Sequence, residues 1–421
     1  MIPAVIERCA GIDVGRKFVM VCVMVGASDA VPTQEIRRFS TLNEDLERLR
    51  EWLEENQCTH VVMESTGSYW RPIYNVLDDG KREVILANSQ QVKNLRGHKT
   101  DPSDARWLAH LLRHAMIRPS FIPDRETREL RDLTRRRKQM VGCASEERNR
   151  VQRVLQEANV ELGAVLSDVF GESGLHMIDA LMNPLATPGQ IAELAVRQAR
   201  KKIPELRKAL EGHRMTEHHR TLIRHSMEPL AFLEEQIAEL DREIRQRIHG
   251  NAALQSATEL AQSLPGIHHV AAASVVAEIG ADVSQFPAAS KLASWVGVCP
   301  GNNESAGKRK SGKTRKGNPW VRRTLVECAW SASRKTDSES QHLYQRLKPR
   351  LQHKRALVAT AHWLALQIYE VLAAGQPYQP ALQPQRTAAQ TLRLARHHSR
   401  RLRHLHKWLH EHNKRQAQAS S

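Results

Sequence analysis

The period of apolar and polar positions changes twice along the chain. Residues 9–26, CAGIDVGRKFVMVCVMVG, hold two Val- and Ile-rich runs broken at Val14-Gly15-Arg16-Lys17. This pattern predicts two buried strands joined by a turn. Glu35 to Thr41 offers a third strand, with Ile36 and Phe39 as its apolar positions. Leu42, Leu46, Leu49 and Leu53 fall on one face at spacings of three and four, predicting a helix over 42–57. Apolar runs at His60–Ser65 and Glu83–Ala87 predict two more strands, with a helix between them from Tyr69 to Asp79 that stops at Gly80. Lys99 to Met116, KTDPSDARWLAHLLRHAM, then predicts a helix: Thr100 or Asp101 can cap it, Pro102 suits its first turn, and Leu108, Leu111, Leu112 and Ala115 line its apolar face. Strands and helices in this order describe a mixed α/β domain with a central sheet.

Strand signals vanish from about Asp124 to Gly250, where charge is dense. Leu130, Leu133, Met140 or Val141, Val151, Val154 and Leu155 form one helical stripe. Phe232, Ile237, Leu240, Ile244 and Ile248 form another at near-heptad spacing. Long helices in a coiled-coil arm are expected, interrupted by the Gly- and Pro-containing stretch around 163–190. A third compact unit begins near 260. Its Leu264-Pro265-Gly266-Ile267 turn resembles half of a helix-hairpin-helix, with His268 where that motif usually has its second glycine. Trp320–Ser333 and Arg355–Ala374 predict two further helices. The expected division is 1–122 for the α/β domain, 123–255 for the helical region, 256–375 for a mainly helical domain and 376–421 for a basic, flexible tail.

Charge narrows the partner. Lys plus Arg number 63 against 46 Asp plus Glu, a formal charge of +17, and an excess of that size fits a polyanion such as nucleic acid. The excess is clustered. Lys308, Arg309, Lys310, Lys313, Arg315, Lys316, Arg322 and Arg323 follow the turn formers Pro300-Gly301-Asn302-Asn303, with Glu304 the only acid between Pro300 and Arg323. A flexible basic loop with glycines can bring cations and backbone N–H groups to a phosphate chain. In the tail, Arg386, Arg393, Arg396, Arg400, Arg401, Arg403, Lys407, Lys414 and Arg415 repeat the theme. The six cysteines lie far apart without a CxxC pair, so neither a zinc site nor a disulfide framework is indicated, and reduced thiols fit. With no signal-like N-terminus and no apolar run read as long enough to span a bilayer, the chain is expected in the cytoplasm, without a membrane partner.

Four carboxylates stand where this fold would present chemistry. Asp13 ends the first strand, Glu64 ends the fourth, and Asp101 and Asp104 open the helix of TDPSDA. An acid in an apolar strand is costly unless paired or bound to metal. Carboxylates suit Mg²⁺ or Mn²⁺, and two such ions can assist displacement at a phosphodiester. Each acid taken singly also reads as a turn or cap residue.

The order GIDVG, MEST, KTDPSDA and then WVGVCPGNNESAGKRKSGKTRKGNPW resembles the IS110 family of insertion-sequence transposases, over about 9–116 and 260–335. The resemblance implies a RuvC-like, RNase H-fold domain whose DEDD quartet is Asp13, Glu64, Asp101 and Asp104. It also implies a second transposase domain with Ser305 as nucleophile; Ser311, deeper in the loop, is the lesser candidate. Where the family pattern often has two adjacent serines, this chain has Glu304-Ser305. Further implications are donor and target DNA as substrates, a structured guide RNA encoded by the element, and a homo-oligomer, dimer or tetramer, in a bacterial cell. Two alternatives stay open: a metal-only RuvC-like nuclease or junction resolvase, and a non-catalytic RNA- or DNA-binding scaffold.

Overall fold

The computed structural model describes residues 4–64, 67–87, 101–117, 119–301, 303–305 and 308–380, with the side chains of 101–103 and 303–311 outside the description. Thr100, as a possible cap, and the nine tail cations therefore lie outside the described residues. The chain divides after Asp124 into two compact units.

The first unit is built on a five-stranded sheet. β1 (Arg8–Val14), β2 (Phe18–Val25) and β3 (Thr33–Ser40) form an antiparallel meander, and β4 (His60–Glu64) and β5 (Glu83–Ala87) add in parallel, giving the order β3-β2-β1-β4-β5. The parallel strands need crossovers, supplied by α1 (Asn43–Glu55) and α2 (Trp70–Leu77). Alternation along the strands sorts the two faces. Ala10, Ile12, Val61 and Met63 pack with Leu46, Leu49, Leu53 and Leu77 of those helices. Cys9, Cys22, Met24, Val62 and Ile85 face the other way, against Ala105, Leu108, Ala109 and Leu112 of α3 (Asp101–Arg113).

Helix α3 lies unusually close to the sheet. A Cβ at Gly11 would sit 2.3 Å from the Ala105 carbonyl oxygen and 2.3 Å from the Ala109 nitrogen. Glycine at 11 and alanines at 105 and 109 are what let backbone meet backbone there. The far end of α3 is tied down by Arg113, 1% exposed, whose guanidinium donates to the carbonyls of Ile6 (3.1 Å), Glu7 (3.0 Å), Gly26 (3.1 Å) and Ala27 (2.7 Å).

Among its described residues, the second unit is helical apart from one small β-ribbon. Two helices of 33 residues, α4 (Arg125–Glu157) and, further along, the helix Glu217–His249, run antiparallel. Arg137–Asp241, Arg148–Glu234 and Arg247–Glu129 pair across them in reverse order. The stretch expected to interrupt the arm forms a small cap at its end, made of α5 (Leu162–Val165), α6 (Glu172–Leu181), α7 (Pro188–Glu193), a 3₁₀ turn at Arg197–Lys202, and α8 (Ile203–Leu210). Its core joins Leu162, Met177, Ile178, Ile191, Leu206 and Leu210 to Val151 and Leu155 of α4. The helix Glu217–His249, α9, buries Leu230, Ile244 and Ile248, but Phe232 is 60% exposed. The inward stripe runs through Leu230 and Leu233 instead, because heptad geometry allows only two positions in seven on the seam.

At the arm's base, Leu130, Ile244 and Ile248 enter one core with α10 (Ala252–Gln262), α11 (His269–Ile279), α12 (Ala289–Val296), α13 (Pro319–Ala332) and α14 (Glu339–Ala374). The boundary expected at 255/256 lies inside α10. The Leu264-to-Ile267 turn joins α10 to α11 and packs inward: Gly266 has φ +78°, and a Cβ there would stand 2.5 Å from the Ala332 nitrogen. The span α14 is two helical stretches meeting at a kink at Gln352 (φ 64°, ψ 167°) beyond Pro349; the second begins close to the expected Arg355, and the first, from Glu339, was not expected. The whole span is also, contrary to the sequence expectation, long and apolar enough to cross a membrane by length and composition. Its apolar positions Leu357, Ala361, Leu364, Ala365 and Ile368 are nevertheless buried in this core.

All six thiols are free, and most are sealed. Burial pushes Cys9 and Cys328 up to about 12, and Cys22 and Cys58 up to about 11. The reactive thiolate is therefore scarce at pH 8 at these four positions. Iodoacetamide on the native protein should alkylate exposed Cys143 first; equal labelling of Cys9 or Cys328 by mass spectrometry would contradict this packing. Gly11→Ala should destabilise the first unit by about 2 kcal/mol or more, since the added carbon forces α3 off β1; thermal unfolding followed by circular dichroism measures it.

Candidate active site and nucleic-acid interface

The register of the sheet gathers the acids. In β1, Cys9, Gly11 and Asp13 share a face; in β4, His60, Val62 and Glu64 do. Gly11 pairs with Val62 and Ile12 with Met63 in parallel register, so Asp13 and Glu64 come at the same level, on the α3 side, at the C-terminal ends of adjacent strands. Asp104 precedes Ala105, the residue that meets Gly11, and so belongs to the first turns of α3 over the same edge. All three carboxylates are half-buried. Asp101 is the first residue of α3, with its side chain outside the described residues. The C-terminal edge of parallel strands is where α/β sheets commonly hold ligands. Three carboxylates there fit a hard divalent cation by donor chemistry. Among the described residues, no three His, Cys, Asp or Glu side chains yet stand as a metal cage.

Along α3, Trp107 stacks on His110 (5.8 Å, 18°), and His110 lies 4.5 Å from His114. Burial, then the neighbouring His114 and Arg113, hold His110 below the usual histidine pKa, so it is neutral at pH 7.

Ser305 sits in the second unit, on a β-ribbon where a flexible loop was expected. β6 (Asn303–Ser305) pairs antiparallel with β7 (Lys308–Ser311), with Ser305 opposite Lys308 and an irregularity at Asn303/Glu304. The ribbon is ordered from below by backbone contacts. Pro300 bridges Thr314, the Gly301 N–H donates to the Lys313 carbonyl at 2.9 Å, and Gly297 (φ +82°) meets Gly317 so closely that a Cβ at 317 would stand 2.4 Å from the Gly297 nitrogen. Lys308, Arg309 and Lys310 lie on β7, their side chains outside the described residues. Lys313, Arg315, Lys316 and Arg323 are exposed. Arg322 braces the ribbon, its guanidinium donating to Thr314 Oγ1 at 2.8 Å and to the Arg315 carbonyl at 3.4 Å.

The ribbon's exit strand is anchored by a carboxylate that the sequence reading passed over. Glu278, 1% exposed, accepts two bonds from Arg135 of α4 (2.6 and 2.8 Å) and one from Asn318 Nδ2 (2.7 Å). The Asn318 side-chain oxygen in turn accepts from the Trp320 and Val321 N–H groups, capping α13. Arg131 donates to the Glu278 and Ala277 carbonyls, and Arg135 lies 5.3 Å above the Trp320 ring. An acid inside the apolar run HVAAASVVAEIG was the available signal, the same one that singled out Asp13 and Glu64.

Comparison with known proteins speaks to the family of the chain. An IS110 transposase model of the DEDD type matches residues 10–160, and a model described as transposase of the IS116/IS110/IS902 family matches residues 258–345. A probable family 20 transposase of Pseudomonas aeruginosa is 25% identical over 330 residues, covering 76% of this chain and 86% of that protein. The Thermus thermophilus RuvC structure aligns over 27% of this chain and 100% of its own, at 14% identity and a TM-score of 0.22, a likeness too weak to carry an argument. A chain with this mixed sheet, basic ribbon and pair of transposase matches is an enzyme that acts on DNA, a transposase. It belongs to the IS110 family.

Arg135→Ala should cost the second unit about 2–3 kcal/mol, because it strips both guanidinium bonds from a buried carboxylate. Urea unfolding measures the loss; an unchanged midpoint would show that Arg131 and Asn318 suffice.

Proposed function

We propose that this transposase cuts and rejoins DNA strands through attack of the Ser305 hydroxyl on a phosphodiester, assisted by divalent metal held by Asp13, Glu64, Asp104 and Asp101. The observation that carries the reading is the shared register of Asp13 and Glu64 at the strand ends beneath the start of α3. The strand order β3-β2-β1-β4-β5, a three-strand meander extended by two parallel strands, supports an RNase H-type, RuvC-like sheet for this unit.

Bound Mg²⁺ or Mn²⁺ would supply Lewis-acid stabilisation of phosphate charge. The chain's own part is as follows. Ser305 Oγ forms a bond to phosphorus as the bond from phosphorus to the leaving sugar oxygen breaks. The hydroxyl proton passes to solvent, and the leaving oxygen takes one up. The serine–phosphate ester keeps the bond energy, so a second sugar hydroxyl can displace Ser305 and reseal the strand without ATP. A free serine hydroxyl is a weak nucleophile and gains from phosphates held in line. Lys308, Arg309, Lys310, Lys313, Arg315, Lys316 and Arg323 hold those phosphates, and Arg322 keeps the ribbon straight. The acids lie in the first unit and the serine in the second. The IS110 assignment adds donor and target DNA, an element-encoded guide RNA, and assembly as a dimer or tetramer in the bacterial cytoplasm at the nucleoid.

Ser305→Ala should abolish the covalent protein–DNA adduct and lower strand exchange by about a thousandfold or more. Exchange at full rate without that hydroxyl would transfer the reading to a metal-only nuclease. Asp104→Asn should lower both cutting and exchange by a similar factor while DNA binding persists; normal recombination by it and by Asp13→Asn would leave the protein a binding scaffold.

A further inference from the structure

A second cluster of aromatic and basic side chains lies away from the ribbon, where α13 meets α14. Trp330 is 43% exposed, although it stands on a helix that buries Val321, Leu325, Cys328, Ala329 and Ala332. Its ring is met edge-on by His353 (4.8 Å, 81°), and the Arg334 guanidinium lies 5.5 Å from it. His353 bonds through Nδ1 to the Tyr344 hydroxyl at 2.6 Å, and Lys348 Nζ lies 5.8 Å from the Tyr344 ring. The break at Gln352 immediately precedes His353. Rings already braced against one another lose little freedom when a further ring stacks on them.

The surroundings are cationic. Arg346, Lys348, Arg350, Lys354 and Arg355 are exposed, and no acid occurs between Glu339 and Glu370. Glu339 accepts from the Tyr378 hydroxyl at 2.8 Å and Glu327 pairs with Lys138 at 3.3 Å, while exposed Asp337 stands three residues after Arg334. These five cations lie beyond residue 345, where neither family match reaches.

We propose that Trp330, with Tyr344, His353 and the cations around them, is a binding surface for an unpaired DNA strand, one base stacking on the Trp330 ring and the flanking phosphates lying along Arg334 and Arg346–Arg355. An exposed indole offers a face to any base, whereas duplex DNA presents backbone and groove edges and no free base face. Charge fits a polyanion, and the ring fits a base; a purely phosphate-directed patch needs no exposed tryptophan. The proposal rests on the DNA-directed activity of the protein and not on Ser305, because strand transfer opens duplexes whichever group attacks.

The test is binding, measured by fluorescence anisotropy on the full chain. It uses labelled oligodeoxythymidine of about 20 nucleotides, the matching duplex and the matching RNA. EDTA keeps chemistry silent, and raised salt suppresses non-specific contacts. Trp330→Ala should weaken single-strand DNA binding about tenfold or more, leave duplex binding within about twofold, and melt like the parent. Trp330→Phe, which keeps a ring, should stay within about threefold of the parent on the single strand. No change with Trp330→Ala, equal loss on single strand and duplex, or a defect confined to RNA overturns the proposal. If Trp330→Ala melts early, Trp330→Phe and Arg334→Gln decide it: affinity kept by the first and lowered by the second supports the surface, and any other pair of results overturns it.

Discussion

The approach of α3 to β1 is the contact on which the first unit turns. A helix packed on a sheet through ordinary side chains stands about 10 Å away. Here Gly11, Ala105 and Ala109 remove the spacer, and the helix backbone rests on the strand. That closeness sets the start of α3, with Asp104, over the strand ends that carry Asp13 and Glu64. Arg113 fixes the opposite end by donating to carbonyls just before β1 and just after β2, at one end of that antiparallel pair. Neither device makes chemistry, and both decide where chemistry can happen.

The second unit uses a charge where the first uses an absence. Glu278 is buried among Arg135, Arg131 and Asn318, a costly arrangement that persists because each carboxylate oxygen is bonded. It links three elements far apart in sequence: the base of the arm helix, the apolar helix α11 and the first turn of α13. Since Asn318 follows directly on the basic ribbon, the ribbon's direction is coupled to the arm's base.

The α/β order, the crossover helices and the acids at strand ends were legible, because period-two and period-3.6 patterns report buried faces directly. The helix break at Gln352 and the helical stretch of α14 before it were not, since Pro349 and a run of cations mask an apolar stripe too sparse to read. The ribbon at 303–311 was read as a loop for a related reason: Lys, Arg, Ser and Gly carry almost no strand preference. Its pairing is set from outside the strands, by Gly297, Gly301 and Gly317. Phe232 was placed on a seam that Leu233 occupies, an error of one position that heptad spacing alone does not resolve. Ser305 and the quartet came through motif resemblance; register has since added a physical reason for Asp13, Glu64 and Asp104, while the place of Ser305 at the ribbon's end rests on backbone alone.

The way the ribbon is held also bears on how it can change over generations. Its footing is glycine against glycine and main chain against main chain. At Gly297, Gly301 and Gly317 an added Cβ would meet main chain at 2.8, 2.4 and 2.4 Å, so these three positions leave a side chain no room.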